Sequence, residues 1–100
     1  MKLGVFTVLF GGQPLETALD YVCANGLEAV EIGVGAYPGD AHCPVDDLLA
    51  SKVKADEWKA KITDRGLEIS ALSCHGNPLH PDPKVAKAHA DALRKARTAL

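Results

Sequence analysis

The stretch 3–10, LGVFTVLF, is apolar almost throughout and shows no alternation with polar positions. Such a run suits a strand covered on both faces, as in a parallel sheet. Gly11-Gly12 breaks it, and Pro14 with Glu16 nearby opens a helix over 14–25. Leu15, Ala18, Leu19, Val22 and Cys23 form its apolar stripe, and Asn25-Gly26 closes it with residues that tolerate left-handed backbone. AVEIG predicts a second strand over 29–33, followed by an irregular stretch 34–44 that carries Gly35, Pro38, Gly39 and Pro44. A short helix is expected over 45–50. A clearer one is expected over 54–65, with Ala55, Trp58 and Ile62 as its stripe and Gly66 as its stop. EISALS predicts a third strand over 68–73, then a loop over 74–80. Asp82 as N-cap and Pro83 at the first helical position start a last helix over 83–99, whose stripe includes Val85, Ala86, His89, Ala90, Leu93 and Ala96.

The order is β-α-β-α-β-α, and it repeats itself. Gly26-Leu27-Glu28 leads into the second strand, and Gly66-Leu67-Glu68 leads into the third, 40 residues later. Loops before the strands are short, and those after strands two and three are long. Ligands of α/β folds bind at that carboxyl end. An open doubly wound sheet and a closed (β/α)₈ barrel both accept the pattern. A nucleotide-binding sheet would want G-x-G-x-x-G after strand one. Gly11-Gly12-Gln13-Pro14 does not supply it, although the glycine pair could cradle a phosphate as well as make a tight turn. A barrel needs eight units and about 250 residues. Three units are present and the last helix runs on to Leu100 without a cap, so residues 1–100 are expected to be the amino-terminal part of a single TIM-barrel domain.

Composition narrows the partners more than the fold. Hydrophobic residues at 47% and charged residues at 24% are ordinary globular values. A net charge of -2 and an aromatic content of 5% give no basis for binding nucleic acid, an anionic membrane surface or stacked single-stranded bases. The apolar runs are too short for a membrane span, and the N-terminus lacks a cleavable leader pattern. Cys23, Cys43 and Cys74 are odd in number and contain no C-x-x-C, which suits reduced thiols in a cytoplasmic protein.

Glu31 lies inside strand two between Val30 and Ile32, where a carboxylate is costly unless it meets a cation, a metal or several donors. Alternation could turn it to a barrel interior or to the helix layer. His75 directly follows strand three and could bind a metal, hydrogen-bond a hydroxyl, or exchange protons near neutral pH; a purely structural histidine is the alternative. His80 lies in the same loop, at a spacing that is not a recognised ligand pattern. Tyr37, Asp40, His42, Cys43, Asp46 and Asp47 gather near the second loop, where solvated loop polarity is the favoured reading and Tyr37 and His42 are the best placed to touch a substrate. Cys74 reads as a buried strand-end thiol, Cys23 and Trp58 as core, and His89 as a core-edge or exposed helix residue.

The segments GLEAVEIG at 26–33, YPGDAHC at 37–43 and above all LSCHGNPLHP at 72–81 resemble the xylose-isomerase-like TIM barrels, and within them the bacterial sugar phosphate isomerase/epimerase proteins. The resemblance implies a divalent metal ion (Mn, Mg, Co or Zn) that holds two substrate oxygens. Two carboxylates then move a proton beside a carbonyl. The family's Glu, Asp, His and Glu ligands belong to later strands, so metal ligands are expected beyond residue 100, with His75 the one candidate ligand inside the chain. His75 matches the histidine that lines the isomerases' substrate pocket and is a zinc ligand in the related apurinic endonucleases; Glu31 matches the acidic position ending strand two. The expected substrate-facing set is therefore His75, Glu31, His42, Tyr37 and Asn77. Two alternatives stand beside this reading: an endonuclease-like metal-dependent phosphodiesterase, and a non-catalytic barrel fragment that covers its open sheet with a partner or a second copy.

Overall fold

The structure, a computed structural model, describes residues 1–99. Three parallel strands, β1 (Gly4–Phe6), β2 (Ala29–Ala36) and β3 (Glu68–His75), form one sheet in the order β1-β2-β3. Between and after them run α1 (Leu15–Ala24), α2 (Val45–Ala50), α3 (Lys52–Thr63) and α4 (Pro83–Ala99). This is an α/β fold compatible with the start of a βα repeat, as the order of elements predicts.

The two Gly-Leu-Glu segments are built alike because the same chemistry closes α1 and α3. Gly26 and Gly66 take φ of 74° and 75°, backbone that a side chain would strain. Leu27 N–H then returns to Val22 O at 3.2 Å, and Leu67 N–H to Ile62 O at 3.3 Å, satisfying carbonyls at the helix end. Glu28 N–H donates to Leu3 O at 2.9 Å, and Glu68 N–H to Glu28 O at 3.0 Å, which starts each new strand beside the previous one.

Several boundaries differ from the pattern. The apolar run 3–10 is strand only over Gly4–Phe6; Thr7–Phe10 winds into a 3₁₀ turn, and Leu3, Val8 and Leu9 are exposed. β1 has β2 on one side and no strand on the other among the described residues, and its residues are exposed or only partly buried, so the cover on both faces expected of that run is not found. Strands β2 and β3 run on to Ala36 and His75, because Gly35 at φ 146° absorbs the register shift between Gly33 and Gly35. Helix α3 begins at Lys52 rather than 54 and ends at Thr63. Ser51 caps it, its Oγ accepting from Lys54 N–H at 3.4 Å. The short helix over 45–50 and the start of α4 fall where the sequence places them, with Asp82 Oδ1 accepting from Lys84 N–H at 2.9 Å.

One core lies between sheet and helices. Val30, Ile32 and Val34 project from β2 into Leu15, Leu19 and Val22 of α1, Val45 and Leu48 of α2, and Ala55, Trp58 and Ile62 of α3. Each fully buried aliphatic side chain here contributes about 1.5–3 kcal/mol. Strand alternation then sends Glu31 to the face opposite that core.

Candidate functional site

The carboxyl ends of β2 and β3 carry most of the candidate residues. Glu31 pairs in register with Phe6 on one side and Ala71 on the other, so these three share the face turned away from the core. It is partly buried and lines a hollow of about 520 Å³ with Ala71–His75, Leu93, Ala96 and Arg97. Five consecutive β3 residues border this hollow, so it follows the free edge of β3 and is open to both faces of that strand. A carboxylate in it is reached from solvent and can accept hydrogen bonds from hydroxyl groups.

His75 ends β3 and is exposed. Its carbonyl accepts from Tyr37 N–H at 2.8 Å, which ties the loop after β2 to the loop after β3. That contact needs Ala36 at φ 58°, a left-handed conformation uncommon for a residue with a β-carbon. Tyr37 is exposed, and its ring stands edge-on to His89 with centroids 4.8 Å apart. Asn77 uses its side chain on its own loop, where Oδ1 accepts from Leu79 N–H at 3.0 Å. Its backbone N–H donates to His89 Nδ1 at 2.7 Å. Glu31, His75, Asn77 and Tyr37 therefore lie on one face and the rim at its end.

His42 stands apart. It is 5% exposed, its Nε2 lies 2.8 Å from Gln13 O, and its carbonyl accepts from Trp58 Nε1 at 2.8 Å. The loop after β2 is thereby fastened to α3 and to the turn before α1, with the His42 ring enclosed. The same loop folds back over Gly33, where an added β-carbon would lie 2.9 Å from Pro38 Cβ and 3.0 Å from Gly39 O. His80 spends Nδ1 on Asp82 N–H at 3.0 Å, inside its own turn.

The thiols are quiet. Burial, and then the neighbouring Asp40 carboxylate, push the Cys43 thiol up to about 12, and burial also raises Cys74. A nucleophilic cysteine needs the opposite shift. Between α2 and α4 a second hollow of about 430 Å³ has Asp40, Asp46, Asp91 and Lys95 on its wall. Lys95 pairs with Asp46 at 2.9 Å, and Asp91 is held by Arg94 and by Lys87, which keeps its carboxyl below the usual range. These exposed pairs are solvated surface. Among the described residues no three His, Cys, Asp or Glu side chains converge as a metal site would require, so Glu31 and His75 do not by themselves form one. No described helix is long and apolar enough to cross a membrane.

The sequence places His89 at the core edge of its helix or in solvent, and its partly buried position agrees; its contacts with Asn77 and Tyr37 were not legible. No local pattern marks them, because its partners come from two loops that are distant in sequence. No family model matches the chain, and no solved structure matches it. The chain is similar to an uncharacterized protein, YfiH of Bacillus subtilis (strain 168), at 33% identity over 95 residues, which covers 95% of this chain and 30% of the relative. The chain thus spans about 30% of the length of the curated relative it matches.

Proposed function

We propose that this chain forms the first three βα units of a (β/α)₈ barrel whose complete form isomerises or epimerises a small sugar or sugar phosphate. The observation that carries the reading is the position of Glu31, on the sheet face opposite the buried core and below a rim bearing His75, Asn77 and Tyr37. In a barrel that face is the interior and that rim is the ligand-binding end. The free edge of β3, with its hollow of about 520 Å³, is where a fourth parallel strand would pair.

Glu31 in this arrangement binds sugar hydroxyls or takes a proton from the carbon next to a carbonyl, while His75 offers a donor or acceptor to the same substrate. The divalent ion that the resemblance implies would be held by residues outside this chain. The endonuclease reading has less support. The loops over 37–44 and 76–82 contain no lysine or arginine to meet a phosphate backbone.

The test is solvent deuterium exchange, followed by proton NMR, on aldoses, ketoses and their phosphates with the complete protein. Exchange at the carbon beside the carbonyl is expected, with loss on chelation. Glu31→Gln and His75→Ala should each lower kcat/KM by about tenfold or more. Absence of exchange across the panel, or undiminished activity in both variants, would reject the proposal.

A further inference from the structure

We propose that His89 is the positioning residue of this rim: as a neutral imidazole it latches the loops after β2 and β3 together, and its protonation releases them. The latch has three contacts. The backbone N–H of Asn77 donates to His89 Nδ1 at 2.7 Å. The ring lies directly on the backbone of Gly76, where a β-carbon would come within 2.8 Å of His89 Cγ and 2.9 Å of its Cβ. From the other loop, Tyr37 meets the ring edge-on at 74°, while its own N–H donates to His75 O at 2.8 Å. A residue on α4 therefore touches Gly76 and Asn77, which follow the candidate His75, and Tyr37, whose N–H bonds the His75 carbonyl.

Histidine is an acceptor at Nδ1 only when that nitrogen carries no proton, so the contact places the proton on Nε2. The imidazolium form has N–H at both nitrogens. It would turn a donor toward the Asn77 donor, and the bond that sets the start of the loop is lost. Among the described residues no carboxylate is paired with the ring. Tyr37 faces it from the loop after β2, and Gly76 and Asn77, which follow His75, are uncharged. On α4 its neighbours one turn away, Val85, Ala86, Ala92 and Leu93, are apolar, and the nearby Asp91 is engaged by Arg94 and Lys87. Gly76 completes the device, since any side chain there would push the ring away.

The inference rests on the proposed function only in treating this rim as ligand-facing. Its test needs no substrate, so the two ideas fail separately. Hydrogen exchange at the Asn77 amide, expressed as a protection factor, is compared at about pH 7.5 and about pH 5. A fall of about tenfold or more is expected at the lower pH, the loss of one hydrogen bond, with the Ile32 amide in β2 still protected. Imidazole ¹⁵N shifts should place the His89 proton on Nε2 at the higher pH. In His89→Phe, which keeps a ring against Tyr37 and has no acceptor, Asn77 should be weakly protected at both pH values. Equal protection at both pH values in the unaltered chain, a proton on Nδ1, a pH-dependent loss that persists in His89→Phe, or simultaneous loss at Ile32 would each overturn the latch.

Discussion

Cys43 has reactive chemistry that its surroundings suppress. It is fully buried in the core beside Trp58, and burial with the Asp40 charge raises its thiol from 9.0 to about 12. A folded-state value above the unfolded one means the folded chain keeps a proton that the unfolded chain gives up. Its stabilising effect is complete below about pH 9 and fades as pH rises toward about 12. Denaturant unfolding at rising alkaline pH should show a stability loss of at most about 1.4 kcal/mol per pH unit from this group. Cys43→Ala should flatten that alkaline limb; an unchanged slope would mean the thiol is not protected. His42 was read from the sequence as open to ligand because Asp40, His42 and Cys43 make a polar-looking loop. Its burial depends on Trp58 and Gln13, which no local pattern links to it. Trp58→Phe should cost about 1–3 kcal/mol by leaving the His42 carbonyl unpaired, read as a lower urea midpoint with unchanged slope.

Strand β2 ends under strain that nearby contacts sustain. Ala36 at φ 58° allows Tyr37 N–H to reach His75 O, at a conformational cost of about 1–2 kcal/mol. Ala36→Gly removes that cost but adds freedom to the unfolded chain, so a net gain of up to about 1 kcal/mol is expected in thermal or urea unfolding. A loss of stability would show that the Ala36 methyl matters more than its backbone. Gly33→Ala has the opposite expectation. Its β-carbon would lie 2.9 Å from Pro38 Cβ and 3.0 Å from Gly39 O, too close unless the loop shifts, and a loss of about 1–3 kcal/mol should follow. Elements with their own start and stop residues were legible: Asp82-Pro83 opens α4, and the paired glycines at 26 and 66 close α1 and α3. The length of β1 was not legible, because an apolar run records that burial is wanted and not how many neighbours the strand has.

The molecule as a whole exposes more surface than its mass calls for. It presents 6111 Å², whereas a compact monomer of 10.5 kDa presents roughly 5,400 Å². Its radius of gyration is 14.0 Å, above the about 13 Å of a compact 100-residue domain. The sheet accounts for this, with the buried core on one face, Glu31 and Ala71 on the other, and no strand beside the outer edge of β3 among the described residues. An unpaired edge is a template for another strand. We therefore propose that the isolated chain self-associates through β3, with an apparent mass that rises with concentration in sedimentation velocity. Ala71→Lys, which places a charge on that exposed position, should shift the distribution toward monomer. A monomer at every concentration would argue against an accessible edge.

The amino-acid sequence alone determined the β-α order, the 40-residue repeat, the Asp82 cap, the closing Gly26 and Gly66, and the residues on the apolar stripes. Those features are set within a few neighbouring positions, by backbone freedom, side-chain capping and the period of burial. Only the tertiary structure decided which face Glu31 takes, that His42 is enclosed, and that His89 holds the rim. Each of those depends on contacts between distant segments: the register of β2 against β3, Trp58 on the His42 carbonyl, and Asn77 on the His89 ring. Side chains near in sequence report the local shape of the chain, while a site is made where separate loops meet.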